Sequence, residues 1–98
     1  MTPDIAARLA EFQIQLMAEA RNHFLFVRGQ FLIIVERAGN GFGSLGSTGV
    51  MTENGLAYVV WRDGRPMLVA KSSEIPADEA QLTAMRRFSD DLRSALRL

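Results

Sequence analysis

The first twenty residues place their apolar side chains at helical spacing. An apolar residue recurs at steps of three or four positions, which forms a stripe along one side of a helix. Thr2 suits the N-cap position and Pro3 the first helical position, so the sequence predicts a helix that begins here. We favour an end near Asn22, and the alternative is a helix that runs to Arg28. The stripe consists of Ile5, Leu9, Phe12, Leu16 and Ala20.

Residues 23–37 are rich in aromatic and β-branched side chains, which favour strands over a helix. Gly29 followed by Gln30 suits a two-residue turn with glycine at its first central position, so this segment predicts a β-hairpin. Residues 39–49 contain five of the eight glycines and predict one long flexible loop.

Two further turn signals lie in the second half of the chain. Asn54-Gly55 and Asp63-Gly64 each separate two apolar runs, which is the strongest short-range indication of a hairpin. Together they predict an antiparallel meander with strands near residues 49–53, 56–62 and 65–71.

A second helix is indicated near the carboxyl terminus. Pro76 precedes Asp78 and Glu79, whose negative charges suit the first turn of a helix. The apolar stripe of this helix consists of Leu82, Met85, Phe88, Leu92, Ala95 and Leu96.

These elements predict a single α+β domain over residues 1–98. An N-terminal and a C-terminal helix flank an antiparallel sheet of four or five strands built from hairpins, and both helices lie on one face of the sheet. A chain of 98 residues has enough apolar surface for one hydrophobic core but not for two.

Two of the predicted strands are apolar on both faces. Residues 31–35 and 56–61 lack the alternation of apolar and polar positions that a sheet with one solvated face requires. Two helices cover one face, and no third helix remains for the other. A second copy is the commonest cover for such a face, so we expect a homodimer, with a different protein as the alternative partner. The candidate interaction residues are Phe31, Ile33, Val35, Tyr58, Val60 and Trp61.

Composition narrows the range of partners. Eleven basic residues balance eleven acidic residues, so the chain lacks the positive field typical of proteins that bind nucleic acid or anionic membranes.

The absence of cysteine excludes disulfides, thiolate nucleophiles and cysteine zinc sites. The sequence has no signal-like start and no apolar run of membrane-spanning length. We therefore expect a cytoplasmic protein that binds neither nucleic acid nor a membrane.

Residues 41–46 match the glycine pattern of dinucleotide-binding loops, G-x-G-x-x-G. A dinucleotide site also needs a helix directly after the loop, whereas residues 47–53 are β-like. A flexible loop between strands is therefore the favoured interpretation. The alternative is a small-molecule domain, for a nucleotide or metabolite, in which residues 39–49 form a lid. Its candidate residues are Gly41, Gly43, Gly46 and Arg62.

The sequence shows no recognisable catalytic or metal-binding set. His23 is the only histidine, so one chain cannot build a histidine-rich metal site, and a Ser-His-Asp triad would have to use His23, for which the sequence offers no G-x-S-x-G motif. The adjacent pair Asp90-Asp91 lies in the predicted helix, where neighbouring side chains diverge by about 100°. We therefore expect no enzymatic activity, no cofactor and no metal. The sequence favours a small, non-catalytic binding or regulatory module.

Overall fold

The computed structural model describes residues 2–98, which form two terminal helices and one antiparallel sheet. The helices are α1 (Pro3–Glu11) and α2 (Glu79–Leu96). The strands are β1 (Gln15–Glu19), β2 (His23–Arg28), β3 (Phe31–Ala38), β4 (Gly41–Leu45), β5 (Gly49–Thr52), β6 (Gly55–Arg62), β7 (Arg65–Ala70) and β8 (Ser73–Pro76). Their spatial order is β1-β2-β3-β5-β6-β7-β8, and β4 also pairs with β3. The α+β class is confirmed. The prediction of four or five strands was too low, because it missed β1, β4 and β8.

Helix α1 is only nine residues long, so both predicted ends, near Asn22 and at Arg28, are wrong. Gln13 adopts the left-handed conformation with a φ of 59°, and the Ile14 amide donates to the Leu9 carbonyl at 2.9 Å. This is a common way to end a helix, but glycine is the usual residue there and glutamine gives no comparable signal. The chain then forms β1, whose pairing with β2 outweighs the helical preference of its residues.

The glycine-rich segment contains a strand that the loop prediction missed. After a turn at residues 39 and 40, β4 returns along the last residues of β3, and β5 pairs with the first residues of β3. Between them, the Gly46 amide donates to the Ile34 carbonyl at 2.8 Å. A Cβ atom at Gly46 would lie 3.0 Å from that same oxygen. Glycine at this position therefore permits a close approach of two backbones.

The three predicted hairpin turns are present. Gly29 begins the β2–β3 turn with a φ of 59°, and Asp63 and Gly64 both have positive φ in the β6–β7 turn. The β5–β6 turn is displaced by one residue from its predicted position. Thr52 pairs with Gly55, so residues 53 and 54 form the turn and Gly55 follows it with a φ of 101°.

Helix α2 begins with a capping box. The Gln81 amide donates to Oδ1 of Asp78 at 2.7 Å, and the Asp78 amide donates to Oε1 of Gln81 at 3.0 Å. The helix begins at the predicted acidic residues, with Asp78 as the N-cap instead of within the first turn, and Leu82 is the one residue of the predicted stripe that is only partly buried. The buried residues of the helix are Met85, Phe88, Leu92, Ala95 and Leu96.

The hydrophobic core lies between the helices and one face of the sheet. Alternate residues of β2 and β3, namely Phe24, Phe26, Ile33 and Val35, pack in one cluster with Leu9 of α1 and the second half of α2. A smaller cluster extends this core under the first half of α2. It contains Val50, Ala57, Leu68, Ala70 and Met85. The strand register places the core residues of all strands on the same face, so both helices cover that face. We call it the helix-covered face.

One polar contact ties both helices to the sheet. Nη1 of Arg28, at the end of β2, lies 2.8 Å from Oδ2 of Asp91 in α2 and donates to the Phe12 carbonyl at 3.2 Å. The same guanidinium lies 5.1 Å from the centre of the Phe88 ring, which favours a cation–π contact. The side chains of Arg28 and Asp91 are about three-quarters shielded from solvent.

Candidate interaction surface

The opposite face of the sheet is formed by the residues that alternate with the core residues. In β2, Leu25 and Val27 alternate with the buried Phe24 and Phe26. The strand register extends this surface over β2, β3, β5, β6 and β7, and we call it the outer face. Its apolar residues are Leu25, Val27, Leu32, Ile34, Met51, Leu56, Tyr58, Val60, Met67 and Val69.

The apolar residues of the outer face lie in rows that cross the strands. In the first row, Leu32 pairs with Val27 and Gly49, and Tyr58 pairs with Gly49 and Val69. Five strands about 4.8 Å apart make this row about 20 Å wide. The second row contains Leu25, Ile34, Val60 and Met67, and on the other side of the first row Met51 pairs with Leu56.

Four large side chains of the outer face extend into solvent. Their exposed fractions are 52% for Met51, 40% for Ile34, 37% for Leu56 and 36% for Val60. Soluble monomers rarely expose contiguous apolar patches beyond a few hundred Å², and larger patches bounded by polar residues are typical of interaction sites. The outer face therefore has the composition of a contact surface.

Three side chains converge over Gly49 at the centre of the outer face. A Cβ atom at Gly49 would lie 2.8 Å from Cδ1 of Leu56, 3.2 Å from Cε1 of Tyr58 and 3.3 Å from Cδ1 of Leu32. These side chains occupy the space that a larger residue would need, so the apolar surface continues across the glycine. Such a surface suits packing against a second sheet.

Polar residues bound the apolar rows. Gln15 and Glu74 end the first row on the two edge strands, β1 and β8. Glu36 on β3 and Arg62 on β6 lie beyond the second row. The two strands run in the same direction, so Glu36 lies one step past Ile34 and Arg62 lies one step past Val60 at the same end of the sheet. Nε of Arg62 donates to Oε1 of Glu74. The outer face thus has an apolar centre and a charged rim.

Both edges of the sheet are poor templates for an added strand. In β1 the register shifts between Leu16 and Ala18, which interrupts the regular ladder next to Met17. The other edge strand, β8, has four residues, ends in Pro76 and contains the charged Glu74. Bulges, short length, proline and charge are common protections of edge strands. The outer face, by contrast, has no such protection at its centre.

The structure divides the six predicted interaction residues between the two faces. Tyr58 and Val60 belong to the outer face. Phe31, Ile33 and Val35 belong to the helix-covered face, where Phe31 packs against both core clusters and the other two are fully buried. Their assignment to an interaction surface is therefore corrected. Ile34 of the same strand is exposed on the outer face instead, whereas its neighbour on that face, Leu32, is only 9% exposed.

The even-numbered residues of β3 were missed because residues 31–35 are all apolar and give no indication of which side faces the helices. The first charged residues after the run do not resolve the ambiguity. Glu36 lies on the outer face with Leu32 and Ile34, but Arg37 follows on the helix-covered face, where its guanidinium lies 4.3 Å from the Phe24 ring centre. Only the pairing with β2, where Phe24 is buried, settles which residues face outward.

Trp61 is exposed for a different reason from the outer-face residues. It lies on the helix-covered side of β6, opposite Pro66, but its exposed fraction is 64%. Ile75 of β8, on the same side of the sheet, is also exposed. The helices do not extend over this end of the sheet, so Trp61 and Ile75 form a second, smaller apolar area.

The ligand-loop candidates lie in the sheet and against its backbone instead of in one flexible loop. Gly41 and Gly43 belong to β4, which is paired with β3, and Gly46 lies against the β3 backbone. Arg62 lies at the end of β6 and contacts Glu74. An apolar groove of about 590 Å³ lies elsewhere, between α1 and the start of β1. This arrangement offers the lid hypothesis little support.

The remaining chemistry of the described residues is sparse. Within residues 2–98, no three histidine, aspartate or glutamate side chains are grouped so that they could hold a metal ion. His23 is exposed at the start of β2, and its carbonyl accepts from the Ala20 amide at 2.8 Å. No helix in the same residues combines the length and the apolar composition needed to span a bilayer.

No protein-family model, curated protein or solved structure matches this chain. Its function is therefore inferred from its own surface.

Proposed function

We propose that this chain is a small, non-catalytic binding or regulatory module that acts through its outer face as a homodimer. The observation that carries this proposal is the apolar surface over five neighbouring strands, with four large side chains exposed on either side of its centre and a charged rim. The protected sheet edges support a contact made by the face instead of by strand addition. A cytoplasmic location, favoured by the absence of cysteine, is part of the same proposal.

The energetics support a second copy as the cover. The four most exposed side chains of the outer face are 36–52% exposed, so enclosing them contributes about 1 kcal/mol each and about 4 kcal/mol per copy. A two-fold contact buries the same surface on both copies, so the gain is about twice as large. The cost of association is about 4–15 kcal/mol. A stable dimer therefore requires most of the outer face to be well packed.

Two methionines allow a matched test of this proposal. Met51 lies on the outer face, and Met17 lies in the bulge of the edge strand β1; both are more than half exposed. We expect the parent protein to sediment as a dimer at micromolar concentration. Met51→Lys should dissociate it, because a charge would be buried in the contact, whereas Met17→Lys should leave it dimeric.

Analytical ultracentrifugation distinguishes these outcomes, and circular dichroism confirms that both variants are folded. A parent protein that is monomeric throughout the micromolar range would refute the dimer. A dimer that tolerates Met51→Lys would place the contact elsewhere.

A further inference from the structure

We infer that the two copies pack outer face against outer face about a two-fold axis that runs along the strands and passes over Gly49. This arrangement rests on the proposed function and specifies which residues meet. In a symmetric dimer of stacked sheets, the axis lies between the two sheets and passes near the centre of the contact. Gly49 lies on β5, with β2 and β3 on one side and β6 and β7 on the other.

An axis along β5 brings apolar residues of one copy onto apolar residues of the other. The rotation places β3 of one copy over β6 of the other, and β2 over β7. Each row of one copy lies over the same row of the other. Leu32 then faces Tyr58 of the second copy, and Ile34 faces Val60 of the second copy. Met51 lies on β5 itself, so the two Met51 side chains are close to the axis and to each other.

The charged rim supports the same axis. Glu36 on β3 and Arg62 on β6 lie one step beyond the second row, and the rotation brings Glu36 of one copy towards Arg62 of the other. Within residues 2–98, Glu36 makes no ion pair. Arg62 uses Nε for Glu74, so its terminal N–H groups remain available to a second carboxylate. Stacked sheets are about 10 Å apart, within the combined reach of these two long side chains.

An axis across the strands gives a poorer match. Such a rotation places each strand on its own counterpart and exchanges the two ends of the strand. With this axis over Gly49, Ile34 of one copy would lie over the polar Gln30 of the other, and Met51 would lie over Ser47. Covering polar groups with apolar side chains is unfavourable, and Glu36 of one copy would lie at the opposite end of the contact from Arg62 of the other. The apolar rows and the charged rim therefore both favour the axis along the strands.

The absence of native cysteine permits a direct test with a short bis-maleimide linker whose span matches the sheet separation. Met51→Cys should cross-link by itself, because the two positions lie close to the axis. Ile34→Cys and Val60→Cys should cross-link several-fold more efficiently when the two variants are mixed than when either is treated alone. Denaturing gels and mass spectrometry of the linked species give the yields.

The outcomes separate the arrangement from the proposed function. If the parent is a dimer that Met51→Lys dissociates, but Ile34→Cys alone links as well as the mixture, the outer face is the contact and the axis is wrong. An unlinked Met51→Cys dimer would also overturn the axis. A monomeric parent, or a dimer that survives Met51→Lys, would instead remove the proposed function.

The charged pair provides a second, independent readout. Glu36→Gln should raise the dimer Kd about ten-fold at low salt, because the dimer contains two Glu36–Arg62 contacts, and the change should shrink at high salt. Glu11→Gln, an exposed glutamate at the end of α1, is the matched control and should leave the Kd unchanged. Equal effects of the two substitutions would contradict the inferred pairing.

Discussion

The two faces of this sheet are similar in composition but differ in what covers them. On the helix-covered face, Phe26 and Ile33 are fully buried in one cluster with Phe88 of α2, and within residues 2–98 no buried side-chain nitrogen or oxygen lacks a hydrogen-bond partner. On the outer face, Ile34 and Met51 are of the same chemical type but remain in solvent. The chain thus completes one core and leaves apolar surface for a second one.

The difference arises from the number of helices relative to the width of the sheet. One short helix and one of 18 residues lie over a sheet of eight strands. The structure is accordingly elongated, with a radius of gyration of 14.1 Å and a longest dimension of 42 Å. A compact domain of about 100 residues has a radius near 13 Å. A wide sheet with helices on one side therefore retains an uncovered side.

The largest effect is expected at two adjacent isoleucines that lie on opposite faces. Ile33 is fully buried under the helices, and Ile34 is 40% exposed on the outer face. Ile33→Ala should lower the free energy of unfolding by about 2–5 kcal/mol at any protein concentration, because it leaves a cavity in the core. In dilute solution, Ile34→Ala should lower the free energy of unfolding by well under half that amount.

Urea unfolding at two protein concentrations tests this pair. The loss caused by Ile34→Ala should grow with concentration, since only the dimer buries that side chain. Equal losses for both variants in dilute solution would show that the two faces are equally covered within one chain.

The sequence predicted those parts of the fold that leave a local signal. The turn at Asp63-Gly64 has a strong residue preference, and the acidic residues Asp78 and Glu79 indicated the start of α2; both elements are present. The end of α1 at Gln13 has no such signal, because the left-handed conformation there falls on a residue that is common inside helices. The strands β1 and β8 depend on pairing with neighbours, which local preference does not reveal.

The sequence predicted that an uncovered apolar surface exists, but it predicted only some of the residues that form this surface. The runs 31–35 and 56–61 predicted apolar surface beyond what two helices cover, and Ile34, Leu56 and Val60 are indeed exposed. Which alternate residues face outward depends on strand register, and a uniformly apolar run does not encode it. For this reason Ile33 was placed on the wrong face.

An intermediate effect is expected at the centre of the outer face. Gly49→Ala would bring a Cβ atom within 2.8 Å of Leu56 and 3.2 Å of Tyr58, so those side chains must move. We expect a loss of about 1–3 kcal/mol in unfolding free energy and a weaker dimer, because the disturbed side chains belong to the proposed contact.

Gly41→Ala is the matched control. At that position only the Ala38 carbonyl oxygen lies within 4 Å, at 3.8 Å, and φ is not in the left-handed region. Gly41→Ala should change the free energy of unfolding by less than about 0.5 kcal/mol, and it should leave the dimer Kd unchanged. If Gly49→Ala matched this control in both measurements, the central packing of the outer face would not be as tight as the structure indicates.

The smallest effects are expected at two ion pairs on the helix side of the molecule. The Arg28–Asp91 pair links β2 to α2 and is largely shielded, whereas the Arg97–Asp4 pair is about three-fifths exposed at both side chains. Asp91→Asn should lower the free energy of unfolding by about 1–2 kcal/mol, since it leaves a partly buried guanidinium without its carboxylate. Asp4→Asn should lower it by less than about 0.5 kcal/mol. Urea unfolding at low and high salt measures both. Because shielded pairs are screened less, the cost of Asp91→Asn should largely persist at 1 M salt, and its disappearance there would mean that this side of the sheet is as open to solvent as the outer face.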